Sequence, residues 1–198
     1  MFTGIIENRG KVKDIRRKQN GVNLSIQTQR RNTIFKLGGS IAINGVCLTI
    51  TDFSVDTFIV DVVKDTLTRT NLSMVRKNDS VNIELPLKVG DRLEGHILEG
   101  HIDGTGRIIS IIKSGTQTIV KIKIPDEVIR YVIKNGSIGI DGVSLTVKDI
   151  KGIILSVTLI PFTVEQTNFK QRKVGDRVNI EVDRMGKYIE KYLKKNIL

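Results

Sequence analysis

The stretch Ile43-Asn44-Gly45-Val46-Cys47-Leu48-Thr49-Ile50 recurs as Ile140-Asp141-Gly142-Val143-Ser144-Leu145-Thr146-Val147, an offset of 97 residues (140 less 43). The same offset lays Thr66, Thr70, Asn71, Asp79, Val81, Asn82, Ile83 and Glu84 on Thr163, Thr167, Asn168, Asp176, Val178, Asn179, Ile180 and Glu181 without a gap. An offset of 96 (100 less 4) pairs Gly4, Ile6, Gly10 and Val12 with Gly100, Ile102, Gly106 and Ile108. One register kept over so many separate segments marks an internal repeat. The chain is two copies of one unit followed by a short tail.

Within each unit the apolar pattern has period two. Val22-Leu24-Ile26, Phe58-Val60-Val62, Val81-Ile83-Leu85 and Val120-Ile122-Ile124 alternate with more polar neighbours, which turns one face of each segment inward. Short strands broken by Asn-Gly, Asp-Gly and Gly-Gly predict an antiparallel sandwich or barrel in each unit. Closure would remove the exposed edges of such short strands. Two helices are expected. Asp126 and Glu127 follow Pro125 and lead into Val128, Ile129, Val132 and Ile133, a helical stripe with acids in its first turn. In the tail, Tyr188, Ile189, Tyr192 and Leu193 share one face, with Lys187, Lys191, Lys194 and Lys195 off it. That stripe either packs back on a barrel or meets copies of itself. The expected division is 1–89, 90–186 and 187–198, with the linker around Pro86 to Glu94.

Composition narrows the function classes. The 198 residues are 39% hydrophobic and 27% charged, with nine aromatics and no Trp, so a folded core of Ile, Val and Leu is expected rather than disorder. No apolar run has the length of about 18–20 residues that crosses a bilayer. The start of the chain shows no secretory pattern, and the reading is a soluble, cytoplasmic protein. One cysteine, Cys47, rules out an internal disulfide or a cysteine-based zinc site. The net charge of +11 suggests nucleic acid, but the basic residues are interleaved with acids and no aromatic stripe accompanies them. No nucleic-acid or membrane partner is expected. His96 and His101 lack the spacing and third ligand of a metal site, and no phosphate loop, dinucleotide fingerprint or nucleophile elbow is present.

Where the copies match they serve the fold; where they differ in chemical type they can divide a task. Cys47 stands opposite Ser144, Asn44 opposite Asp141, Ile5 opposite His101 and Pro86 opposite Asp183, while Ser40 matches Ser137 and Thr49 matches Thr146. The divergent set is rich in groups that move protons or attack. Each also has a plain structural reading: Cys47 as a small core residue, Ser144 and the threonines as strand formers, Asn-Gly and Asp-Gly as hairpin turns.

Taken together, Met1-Phe2-Thr3-Gly4-Ile5-Ile6, the Asn44–Thr49 motif, Gly95-His96, Gly100-His101-Ile102, the Gly139–Val147 motif and Val178-Asn179-Ile180-Glu181-Val182-Asp183 resemble the riboflavin synthase family of the alpha-chain type, from residue 1 to about 185. The resemblance implies an all-β fold of two tandem Greek-key barrels with short helices and a C-terminal helix. It implies a transferase that dismutates two molecules of 6,7-dimethyl-8-ribityllumazine to riboflavin and 5-amino-6-(D-ribitylamino)uracil, with no cofactor and no metal. It also implies a homotrimer, assisted by the tail helix, with the site between the N-terminal barrel of one subunit and the C-terminal barrel of another. Lumazine synthase, which makes the substrate, is a candidate partner.

Carried over by position, the first pocket would use Phe2, Gly4, Ile5, Ile6, Cys47, Leu48 and Thr49 with Asp61, Val62, Val63, Lys64, Asp65 and Thr66. The second would use Gly100, His101, Ile102, Ser144, Leu145 and Thr146 with Leu159, Ile160, Pro161, Phe162, Thr163 and Val164. The chemical candidates are His101, Cys47, Ser144, Asp141, Asp183 and Ser40. His101 is expected to assist proton transfer from the substrate's C7 methyl, and Cys47 or Ser144 to stand at the addition step. The family often has Lys where this chain has Asn135, beside Lys134; Asn can still hydrogen-bond a ribityl hydroxyl.

Overall fold

The computed structural model describes residues 1–28 and 35–195. Strands β1 (Asn8–Lys18), β2 (Gly21–Thr28), β3 (Ser40–Ile43), β4 (Val46–Phe53), β5 (Thr57–Val63) and β6 (Ser80–Glu84) close an antiparallel barrel in the order β1-β2-β5-β4-β3-β6. Strands β7 (Gly104–Ser114), β8 (Gln117–Lys123), β9 (Ser137–Ile140), β10 (Val143–Lys151), β11 (Ile154–Leu159) and β12 (Arg177–Val182) repeat that order in a second barrel. Both barrels bend their strands at matching places, with register shifts at Val12/Asp14 and Ile108/Ser110 and at Ile50/Asp52 and Val147/Asp149. Such bulges sharpen the twist that closes a small barrel.

The period-two residues fill the two interiors. Leu24, Ile26, Phe58, Val60, Val62, Val81 and Ile83 are buried in the first barrel, and Ile108, Val120, Ile122, Val157, Val178 and Ile180 in the second. The expected helix over Val128–Ile133 is only one turn, α2 (Asp126–Ile129). The chain must reverse before β9, so Asn135 takes a left-handed φ of 64° and its N–H donates to Val147 O at 2.8 Å. Two six-residue helices go unannounced by periodicity, α1 (Lys64–Arg69) and α3 (Pro161–Gln166). They are too short to carry a stripe. Each runs into a 3₁₀ turn whose first N–H groups are capped by Thr70 or Thr167. The tail helix, α4, begins at Arg184 and is described to Lys195, so the last three residues of the expected 187–198 segment lie outside the described residues.

The barrels meet through polar groups. The hairpin turns Asn44-Gly45 and Asp141-Gly142 have left-handed φ at both positions, 46° and 78°, and 49° and 79°, as a two-residue hairpin loop requires. They abut each other: a Cβ on Gly45 would stand 2.6 Å from Gly142 N, and one on Gly142 2.7 Å from Gly45 N. Around them Asn179 Nδ2 donates to Asn44 O (2.8 Å) and Asn82 Nδ2 to Asp141 O (2.9 Å), while Asn71 N donates to Asn179 Oδ1 and Asn168 N to Asn82 Oδ1. Each repeat thus satisfies the other's buried backbone.

One position breaks the symmetry. Asp141 is wholly buried and accepts from Asn71 Nδ2, Asn179 N and Asn168 Nδ2, each at 2.8 Å, and from the Arg172 guanidinium. Its counterpart Asn44 is neutral, and the residue matching Arg172 is Val75 (172 less 97). Asp and Arg therefore diverged together, as a buried charge needs its partner. Asp141, expected among the catalytic groups, is spent on this interface. Asp141→Asn alone should cost about 3–5 kcal/mol by stranding Arg172, and the pair Asp141→Asn with Arg172→Val, copying the first repeat, should recover most of it. Urea unfolding midpoints of the two variants check this; equal losses would contradict it.

Candidate functional site

Alternation along β4 and β10 decides which of the motif residues can meet a ligand. Val46, Leu48 and Ile50 point into the first barrel, whereas Cys47 is half-buried and Thr49 exposed on the outer face. Val143, Leu145 and Val147 point into the second, leaving Ser144 half-buried and Thr146 exposed. Leu48 and Leu145, expected in the pockets, are core residues, as are Val62 and Leu159. On the neighbouring strands Ser40 pairs with Thr49 and Ser137 with Thr146, so each barrel presents a hydroxyl-bearing outer patch. The antiparallel strands bring the end of β5 or β11 to the same end of the barrel. There Val63, Ile160 and Phe162 are exposed, and Thr66 and Thr163 receive the Thr70 and Thr167 hydroxyls on their carbonyls at 2.7 Å.

Not all of the expected residues of β5, α1 and α3 are free. Asp61 is held by Lys18 at 3.0 Å and by Asn23, and Asp65 by Arg69 at 3.1 Å. Lys64 N donates to Asn20 O, and Pro161 opens α3. Asn135 sits where the first repeat has Gly38, also left-handed at φ 72°. Asn tolerates that backbone better than Lys does, which gives this departure from the family pattern a conformational cause.

The segments that lead into the barrels cross over. Gly4 O accepts from Ser144 N at 2.8 Å and Gly100 O from Cys47 N at 3.0 Å. Ile6 packs on the second barrel's core and Ile102 on the first's. The expected grouping of Gly4, Ile5 and Ile6 with Cys47, and of Gly100 and Ile102 with Ser144, is therefore exchanged. Both glycines are forced by the contact: a Cβ on Gly4 would fall 2.6 Å from Ser144 Cβ, and one on Gly100 2.4 Å from Cys47 Cβ, each with φ 78°. Each segment is latched to its own barrel by a buried carboxylate. Glu84 accepts from Thr3 N (2.6 Å) and Gly4 N, and Glu181 from Glu99 N (2.7 Å) and Gly100 N. Burial raises both carboxyls, Glu181 to about 7, against those N–H donors. Phe2, expected in the first pocket, is instead an anchor: it is 1% exposed, packs with Ala42 and Leu98, and exchanges backbone hydrogen bonds with Leu98.

His96 is the residue that sequence reasoning passed over. Its Nδ1 lies 2.7 Å from Ser144 Oγ, and its backbone N–H donates to Thr3 O at 3.1 Å. Burial pushes its pKa below the usual 6.5, while the charge of Asp183 pulls the other way, so the imidazole is neutral at pH 7. A neutral imidazole beside a hydroxyl is the arrangement that activates oxygen nucleophiles or relays protons. His101, by contrast, is exposed and lies 3.7 Å from the Glu99 carboxylate, and Asp183 caps α4, accepting from Met185 N at 2.9 Å. Ser144, His96 and the charge of Asp183 come together on one side, and Cys47, Gly100 and the His101 segment on the other. A cleft of about 520 Å³ reaches the interface network near Arg172 and Lys173, and none of the expected site residues lines it.

The lumazine binding domain model matches residues 3–86 and again 99–183. Riboflavin synthase of Actinobacillus pleuropneumoniae is 44% identical over 195 residues, covering 98% of this chain and 91% of that protein. The riboflavin synthase of Mycobacterium tuberculosis (strain ATCC 25618 / H37Rv) is 41% identical over 198 residues, with 98% of each covered. Among solved structures, LumP complexed with 6,7-dimethyl-8-(1'-D-ribityl) lumazine superimposes with a TM-score of 0.83 at 26% identity, over 92% of this chain and 99% of that one. With its two barrels, its paired motifs and relatives matched from end to end, the chain belongs to the riboflavin synthase family of transferases.

Proposed function

We propose that this chain converts two molecules of 6,7-dimethyl-8-ribityllumazine into riboflavin and 5-amino-6-(D-ribitylamino)uracil by moving a four-carbon unit from one to the other. The two products together hold every atom of the two substrates, so the balance calls for no oxidant or reductant. The observation that carries the reading is the matched pair of outer patches, Cys47 with Thr49 and Ser144 with Thr146, each crossed by the other repeat's leading segment. Two alike seats suit two copies of one flat heterocycle. Holding both rings in one orientation turns an encounter into an effectively unimolecular step.

The chemistry divides as the residues do. In the tautomer with its proton on Nε2, His96 accepts the Ser144 hydroxyl proton through Nδ1, readying that oxygen, or a water it holds, for addition to the substrate bound at the second barrel. Cys47 marks the first seat, and His101 serves proton transfer at the C7 methyl. The exposed apolar residues Val63, Ile160 and Phe162 offer flat contact to the rings, and Ser40, Thr49 and Thr146 offer hydroxyls to ring and ribityl oxygens. The site of action in this reading is the cytoplasm, in line with a single cysteine and no helix, among the described residues, long and apolar enough to cross a membrane.

The assembly in this reading is a trimer in which the first barrel of one subunit faces the second of its neighbour. Its support is the orientation of α4. The polar side of the helix is turned to its own barrel, through Arg184 to Glu99, Lys187 to Asp103 and Glu190 to Arg130 and Tyr131. The opposite side exposes Met185, Tyr188, Ile189, Tyr192 and Leu193, spaced as helices that pack on one another require. An amphipathic helix worn inside out is covered by further copies of itself.

A rival reading, a lumazine or flavin carrier without turnover, finds support in the likeness to LumP. Incubation of the purified chain with 6,7-dimethyl-8-ribityllumazine separates them: riboflavin absorbance should grow at the expense of lumazine, and bound, unchanged lumazine would leave only the carrier. His96→Gln should lower kcat about 100-fold with little change in lumazine affinity. Because burial depresses the His96 pKa, the neutral ring survives acidification, and the rate should stay level through pH 6.5 and fall only well below it. A midpoint above 6.5 would contradict that assignment. Tyr188→Glu with Tyr192→Glu should reduce the mass measured by light scattering to that of a single chain; an unchanged mass would reject the helix interface.

A further inference from the structure

The segment Glu99–Asp103 belongs to no helix or strand, β7 starting at Gly104, yet it carries His101 and lies over Cys47. Backbone contacts fix only part of it: Glu99 and Gly100 donate to Glu181, Gly100 O receives Cys47 N, and Asp103 N donates to Ile180 O at 2.9 Å. Both acidic side chains of the segment reach the same place. Glu99 Oε1 accepts from Arg184 Nη1 at 2.7 Å, and Asp103 Oδ1 pairs with Lys187 Nζ. Arg184 and Lys187 are three residues apart, so both stand on one side of the first turn of α4. The other Glu99 oxygen faces His101 Nδ1 at 3.7 Å, and the other Asp103 oxygen accepts from Val182 N at 2.9 Å. Among the described residues the matching segment of the first repeat, Thr3–Glu7, has no such clamp, and β6 runs on into the linker and not into a helix.

We propose that Arg184 and Lys187 are positioning residues: they clamp Glu99 and Asp103 to the first turn of α4, and so hold the His101 segment in place over Cys47. This rests on the proposed function only for its effect on turnover; the clamp itself is a statement about the chain. One helix then carries two jobs on its two sides. The outer stripe gathers subunits and the inner basic pair sets the geometry of the first barrel's seat, so assembly and site geometry share a lever. Isolated ion pairs at this exposure add little stability, and their loss is read in position and not in unfolding.

Cys47, the only thiol, reports the position directly. The test compares the full-length chain with Arg184→Gln/Lys187→Gln, with the conservative Arg184→Lys, and with the exchanged pair Glu99→Arg/Arg184→Glu. Each is measured for mass by light scattering, alkylation of Cys47 by iodoacetamide, and kcat and KM for the lumazine reaction. The double glutamine variant should keep its mass, alkylate severalfold faster, and lose about 10-fold in kcat with a smaller change in KM. Arg184→Lys, and the exchanged pair, should return both readouts toward the parent. An unchanged alkylation rate in the double variant would overturn the clamp, and so would faster alkylation that the exchanged pair fails to reverse. If the double variant does not fold, Arg184→Gln alone decides by the same comparison. A parent chain unable to convert lumazine would refute the proposed function alone, and the alkylation rates would still judge the clamp.

Discussion

A carboxylate with no access to water, Asp141, and the asparagines around it hold the two halves of this molecule in one relation. Closed barrels have no edges left to pair, and their apolar residues are already used inside. What joins them directly is a set of polar groups at the hairpin turns, flanked by the crossing contacts of Ile6 and Ile102 and the Phe2–Ala42–Leu98 cluster. Buried polar groups join well when they are satisfied, and in this network Asn168 Oδ1 is the one buried side-chain atom that lacks a partner among the described residues. Here Asn82 and Asn179 each serve the backbone of the opposite repeat, and Asn71 and Asn168 close on Asp141. Everything that makes a site depends on that relation, because the crossing segments reach Cys47 and Ser144 only if the barrels are held in this register.

Duplication followed by local divergence explains the chemistry better than either repeat does alone. Where Asn44 became opposite to Asp141, Val75 became opposite to Arg172, and the charge is balanced within the core. Cys47 and Ser144 are a different kind of divergence, since both sit on outer faces with a glycine carbonyl on their N–H. Their surroundings differ: His96 stands beside Ser144, whereas the segment that carries His101 lies over Cys47.

The tail helix adds a second asymmetry. Its mean character is polar, yet its ion pairs face inward, to Glu99, Asp103 and Arg130, and its tyrosines and leucine face out. A lone chain would leave this apolar stripe in water. The same helix begins at Asp183, whose carboxylate caps it and whose charge acts on His96. The end of the second barrel, the start of the helix and the histidine of the site are therefore one electrostatic neighbourhood.

Much of this was legible in the residues themselves. The repeat, the closed antiparallel barrels, the inward residues such as Ile26 and Ile122, and the outward placement of Cys47, Thr49, Ser144 and Thr146 all follow from periods of 97 and of two, because side-chain direction along a strand is a local property. Alternation also sends the side chains of Leu48, Val62, Leu145 and Leu159 into the cores, so that only their backbone groups can serve the pockets to which a likeness of motifs assigns them. Contacts between distant segments were another matter. That Gly4 lies on Ser144 and Gly100 on Cys47, that Asp141 serves Arg172, that His96 meets Ser144, and that α4 turns its charges inward depend on how two finished barrels dock. Docking is set by the shape and polarity of whole surfaces, and no periodicity along the chain records it.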